Sequence, residues 1–165
     1  MRKPRIDDSF EGFLNYFPEE ELPLSFTDEN VIAFSSNNAP LPPPMISRFI
    51  VPMESGIDDL TEFIPCAQIP NTENFKAIVY WRGGLMDYQY IMVTYSNTGD
   101  IIDKKVIGGT FFDGKVLTKS VSMMKEDWTI QILSGQSEDI NTLAYDAANS
   151  KAVILELMPD GEIKD

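Results

Sequence analysis

Twenty-six carboxylates, thirteen basic residues and no histidine set the chemistry open to this 165-residue chain. Without histidine there is no Ser-His-Asp or Cys-His nucleophile, no histidine-ligated zinc or iron, and no imidazole pH switch. Carboxylates, lysine, tyrosine or an unassisted Ser or Cys remain. Two carboxylates suffice for glycoside hydrolysis, and Asp87, Asp100, Asp103, Asp113, Glu126 and Asp127 fall at predicted strand or turn positions. Nearly all stand where turns favour Asp or Glu for solvation and local hydrogen bonds, and no spacing selects a pair. Cys66 is the single cysteine, so an internal disulfide is excluded. Between Pro65 and Ala67 it reads as a small buried hydrophobe. The pairs Gly83-Gly84 and Gly108-Gly109 lack phosphate-loop spacing. Asp100 to Asp103 falls short of the ligand number of a calcium loop. No metal and no cofactor is expected.

The aromatic group Tyr80, Trp81, Tyr88, Tyr90 and Tyr95, with Arg82 beside it, is the densest set of side chains suited to recognition. Aromatics alternating across neighbouring strands can floor a sugar or peptide groove, with ring faces for stacking and hydroxyls for hydrogen bonds. They can equally build a cross-strand core or a homodimer contact. Arg82 can pair with a carboxylate or stack on a ring. Tyr80, Arg82, Tyr88, Tyr90 and Tyr95 are therefore the candidate ligand or interface face.

These residues lie on or beside Tyr88–Gly108, which reads as two strands joined by a turn at Asn97-Thr98-Gly99-Asp100. Phe75–Arg82 is apolar on both faces, the pattern of a covered central strand. Val116–Met123 and Trp128–Ile132 alternate, and Thr142–Asp146 and Ala152–Met158 form a last pair, with Ile163 opening a short return. Residues 1–70 read differently. Asp8 to Glu11 has capping-box spacing, and Phe10, Phe13, Leu14 and Phe17 predict an amphipathic helix over 9–17. Val31–Phe34 reads as an edge strand and Ser35–Pro44 as a proline-rich loop. A short helix is expected from Pro44 to Pro52, and a helical turn from Ser55 through Phe63. The fold expected is mainly β (α+β) in a single domain over 1–165. A helix- and loop-rich part (1–70) precedes an antiparallel meander of about six or seven strands (71–165). That sheet is an open twisted sheet or partial barrel, with the short N-terminal helices on one face.

A net charge of −13 argues against nucleic-acid backbones and anionic membrane surfaces and favours a basic protein partner. No apolar run reaches the roughly 20 residues of a membrane span, and MRKPRIDDSF has no apolar stretch behind its charges. With Met1 as the native start, a cytoplasmic location is expected. Glu19-Glu20-Glu21 is the densest acidic run and reads as a solvated loop or a contact for a basic partner.

FLNYFPEEELPLSF, IPCAQIP, IMVTYSNTGDIIDKKVIGG and SMMKEDWTIQIL together resemble a family of uncharacterised small proteins common in gut Bacteroidetes. The resemblance implies no reaction and no catalytic residues. The function expected is non-catalytic binding, as an acidic inhibitor or immunity-type partner of a basic protein. The alternative is a carbohydrate-binding or carboxylate-dependent hydrolytic domain with an aromatic groove. A homodimeric module would require an apolar sheet face left uncovered by the helices.

Overall fold

A computed structural model of the chain describes residues 7–85, 87–137 and 150–165. Its frame is an antiparallel sheet in the order β2-β3-β4-β5-β6-β7-β8-β9, with β1 paired to β6. The strands are β1 (Leu24–Phe26), β2 (Glu62–Gln68), β3 (Lys76–Gly84), β4 (Asp87–Tyr95), β5 (Ile101–Phe112), β6 (Leu117–Met124), β7 (Thr129–Ser137), β8 (Lys151–Leu157) and β9 (Ile163–Lys164). The protein is mainly β, and the sheet stays open. Among the described residues nine strands stand where six or seven were expected, because β1 and β2 form inside the part read as helix and loop. The expected strand Thr142–Asp146 lies outside the described residues.

The β4–β5 hairpin forms as its sequence dictates. Ser96 N–H donates to the Asp100 carbonyl at 2.7 Å, and Gly99 takes φ +99° in the turn. β5 is where the sheet changes course. Its first half pairs only with β4, and from Gly109 onward it also pairs with β6, whose far end instead carries β1. A bulge opposite Tyr90/Ile91 and φ +136° at Gly109 make the bend. A Cβ at Gly109 would lie 2.0 Å from the Tyr88 carbonyl oxygen, so only glycine fits. The bend carries β8 and β9 back over the start of β3. Trp128 meets Phe75 edge-on at 5.7 Å, and the Thr94 hydroxyl donates to the Gly161 carbonyl at 2.6 Å.

Local capping and turn chemistry reset the bounds and type of several N-terminal segments. α1 (Phe10–Leu14) is capped by Ser9, not Asp8, its hydroxyl accepting from Gly12 N–H at 3.0 Å, and the helix stops short of Phe17. The expected strand Val31–Phe34 is helical. Thr27 caps α2 (Asp28–Asn37) by accepting from Asn30 N–H, and Asp28 and Glu29 complement the helix dipole in its first turn. That helix also absorbs the first residues of the loop expected from Ser35. The helix expected at Pro44 is present as α3 (Pro43–Met45), continuing through a π-helical turn (Ile46–Ile50) and a 3₁₀ turn (Val51–Met53). The helical turn expected through Phe63 is replaced by an Asx turn, in which Asp58 accepts from Leu60 N–H at 2.8 Å, followed by β2.

Two cores result, one on each face of β3–β4. Ile78, Tyr80, Ile91, Val93 and Tyr95 pack under α1 and α3, where Phe13 stacks on Phe49 at 4.6 Å. Ala77, Val79, Tyr90 and Met92 face the curled sheet, with Phe26, Phe34, Ile130, Leu155 and Ile163. The short helices cover the first face, and α2 adds cover on the second. No helix among the described residues is long and apolar enough to cross a membrane.

Candidate functional site

The side chain of Glu54 is 2% exposed, at the end of the α3 helical stretch. Tyr80 on β3 donates its hydroxyl to Glu54 Oε1. Arg82 Nη1 lies 3.3 Å from Oε2, and Lys104 Nζ on β5 lies 3.4 Å from Oε1. Lys104 also donates to the Met53 carbonyl at 2.7 Å, and Arg82 to the Ser55 carbonyl at 3.2 Å. Tyr80 and Arg82 share a face by their i, i+2 spacing. Burial raises the Tyr80 phenol well above the usual tyrosine range, and the Glu54 carboxylate adds to the rise. The cluster closes on itself: every charged group in it is met by another, and its atoms clasp the 53–56 backbone to the sheet. It is a polar clasp.

The five residues expected as one face are divided by the sheet. Tyr80 and Tyr95 lie in the core under α1 and α3, and Tyr90 lies in the opposite core. Tyr90 donates to the Thr27 carbonyl at 2.6 Å, and the Tyr95 hydroxyl meets Met53 Sδ at 3.6 Å. Burial raises both phenols. Arg82 belongs to the Glu54 clasp. Tyr88 alone is open, 42% exposed and stacked on Trp81 at 5.5 Å. The structure thus brings Tyr80 and Arg82 together and sets Tyr88 and Tyr90 apart from them. The sequence named Tyr80 and Arg82 within the aromatic face and allowed Arg82 a carboxylate partner. Glu54 and Lys104 were missed, because no local pattern ties position 54 to positions 80, 82 and 104.

The candidate carboxylates serve turns and strand junctions. Asp113 accepts from the Val116 and Lys115 N–H groups, and Asp127 from the Thr129 hydroxyl and N–H, which lowers the pKa of each. Asp103 accepts from the Ile163 N–H at 2.8 Å and so anchors β9. Asp100 meets the Thr98 hydroxyl in the β4–β5 turn. Asp87 Oδ1 and Ser122 Oγ are buried with no hydrogen-bond partner. Cys66 is fully buried, and burial pushes its thiol up. No group of three or more Cys, Asp or Glu side chains among the described residues could hold a metal ion.

Comparison with family models, with curated proteins and with solved structures finds no match. Glu19 bridges to Gln68 at one end of β2, beside Glu20 and Glu21, while Asp58, Asp59 and Glu62 stand at the other. The exposed ion pairs among the described residues use Asp8, Asp28 and Glu162, leaving these six carboxylates outside any ion pair. On the β6–β7–β8 sheet, Val121, Leu133 and Ala152 form one cross-strand row and Met123, Gln131 and Ile154 the next. They line a shallow concavity of about 380 Å³ that is largely apolar.

Proposed function

We propose that this chain acts by binding rather than catalysis, as an acidic inhibitor or immunity-type partner of a basic protein. The observation that carries this reading is the row of carboxylates flanking β2, Glu19 to Glu21 and Asp58, Asp59 and Glu62, which make no ion pair among the described residues, on a chain of net charge −13. The one buried carboxylate in an ion pair among the described residues, Glu54, is held by Arg82, Lys104 and Tyr80, which suits a structural clasp rather than proton transfer. Charge of this kind steers association and is weakened by salt. Affinity capture from the native cell extract, at about 50 mM and about 500 mM salt, tests it. A single stoichiometric basic protein held at low salt and released at high salt is expected. Capture of no protein at either salt overturns the reading.

A further inference from the structure

The two most open large apolar side chains among the described residues stand at one end of the sheet. Leu85 is 93% exposed and Leu60 84%. Glu62 of β2 and Gly83 of β3 are paired, so Leu60, two residues before, and Leu85, two residues after, leave the sheet side by side. Asp87, two residues beyond Leu85, is paired in turn with Phe111 of β5, which is 49% exposed. Local structure accounts for neither leucine. Leu85 occupies the tip of the β3–β4 hairpin, where glycine, asparagine and aspartate are favoured, and Leu60 lies in the Asp58 turn. Asp58, Asp59 and Glu62 flank Leu60, Asp87 follows Leu85, and none of the four enters an ion pair among the described residues. Arg82 at this end is engaged by Glu54, and Lys115 is offset by Asp113. An exposed apolar centre within a charged rim is the anatomy of a protein docking site.

We propose that this end of the sheet is the docking site for an amphipathic basic helix of a partner protein, with Leu60 and Leu85 as its apolar anchors. The inference rests on the acidic-partner reading and gives it a place. Of the two acidic groups beside β2, Asp58 to Glu62 makes the contact, and Glu19 to Glu21 add long-range attraction. Charge complementarity selects a basic occupant, because Lys or Arg beside the partner's apolar stripe meets the four carboxylates. A second copy brings the same carboxylates against one another. A helix fits where a strand does not. The strands end here in turns, so no row of free N–H and C=O groups invites strand addition, and recognition falls to side chains. The row Leu60, Leu85, Phe111 crosses from β2 to β5, three strand spacings or about 14 Å, roughly the length of two to three helical turns.

Nuclear magnetic resonance titration of the full chain with a synthetic amphipathic helix, leucine along one face and lysine along the other, tests the site. Shifts centred on Leu60, Leu85 and Phe111 are expected, and the same peptide with serine for leucine should bind about tenfold more weakly or worse. Leu60→Ser and Leu85→Ser should each weaken the leucine–lysine helix several-fold, and the double variant about tenfold or more. Both side chains are open, so unchanged urea midpoints are expected and separate a lost contact from a lost fold. No binding, shifts that lie elsewhere, or an affinity that the folded double variant leaves intact overturns the proposal. Equal affinity for the serine peptide does the same, by showing that charge alone binds. Self-association of the chain that the double variant abolishes assigns the patch to a second copy and overturns it too. The probe needs no natural partner, so these failures leave the capture result standing. Capture of no basic protein at either salt removes the acidic-partner reading itself, and this inference with it.

Discussion

Replacing Glu54 by Gln tests the polar clasp with the smallest change of shape. The carboxylate is 2% exposed and meets two cations at 3.3 and 3.4 Å. Removing one partner of a buried ion pair costs about 3–5 kcal/mol when the stranded charge cannot reach water. Here Arg82 and Lys104 remain 17% and 30% exposed and can rehydrate, so the cost falls to about 2–3 kcal/mol. Glutamine still offers an oxygen to the Tyr80 hydroxyl. Glu54→Ala withdraws that acceptor as well, adding about 1–3 kcal/mol for the stranded phenol. For a chain of this size, Glu54→Gln should lower Tm by about 4–12 °C. Urea unfolding of the wild type, both single variants and Glu54→Gln/Lys104→Met gives the energies directly. The double variant should recover part of the loss, since its cation is no longer stranded. A Glu54→Gln protein within about 0.5 kcal/mol of wild type would refute the reasoning, because it would show the charge to be dispensable.

Other outcomes follow from the same geometry. Gly109→Ala should cost about 3 kcal/mol or more in urea unfolding, because its Cβ would overlap the Tyr88 carbonyl at a φ of +136°. Ser122→Ala should be neutral or stabilise by about 1 kcal/mol, since it deletes a buried hydroxyl without a partner; a loss above that would reveal an unseen hydrogen bond. The Asp113 and Asp127 carboxyls are held low in the folded state. Their contribution is present above the unfolded value of about 3.9 and is lost as pH falls through the lower folded value, and NMR titration should place both below about 3.9. The phenols of Tyr80, Tyr90 and Tyr95 are raised, so their contribution is present below about pH 10 and lost as pH rises further. Ultraviolet titration should show these three ionising only as the protein unfolds.

The β half of the fold was legible because its signals are local. Alternation in Trp128–Ile132 and the Asn-Thr-Gly-Asp turn at 97–100 each specify a strand or a reversal from a few neighbouring residues. The N-terminal part was harder for a physical reason. Val31, Ile32 and Phe34 suit a strand, but Thr27 and Asn30 cap a helix just before them, and only Phe34 of that helix is buried. β2 was hidden because Pro65 and the Asp58 turn mimic helix punctuation, while the strand forms through long-range pairing with β3. The aromatic residues were expected as one face, but strand period alone does not say which face is covered. Both faces of β3–β4 are covered, so Tyr80, Tyr90 and Tyr95 went into cores. Glu54 carried no signal in the sequence, since its three partners lie 26 to 50 positions away along the chain.

The most direct test of the binding account is the affinity of the captured partner for wild type and for a Glu19→Gln/Glu20→Gln/Glu21→Gln/Glu62→Gln variant, measured by calorimetry across salt concentrations. The account predicts that wild-type affinity falls steeply with salt and that the variant binds more weakly with a flatter dependence. Equal affinity for the two proteins, or an affinity indifferent to salt, would contradict it.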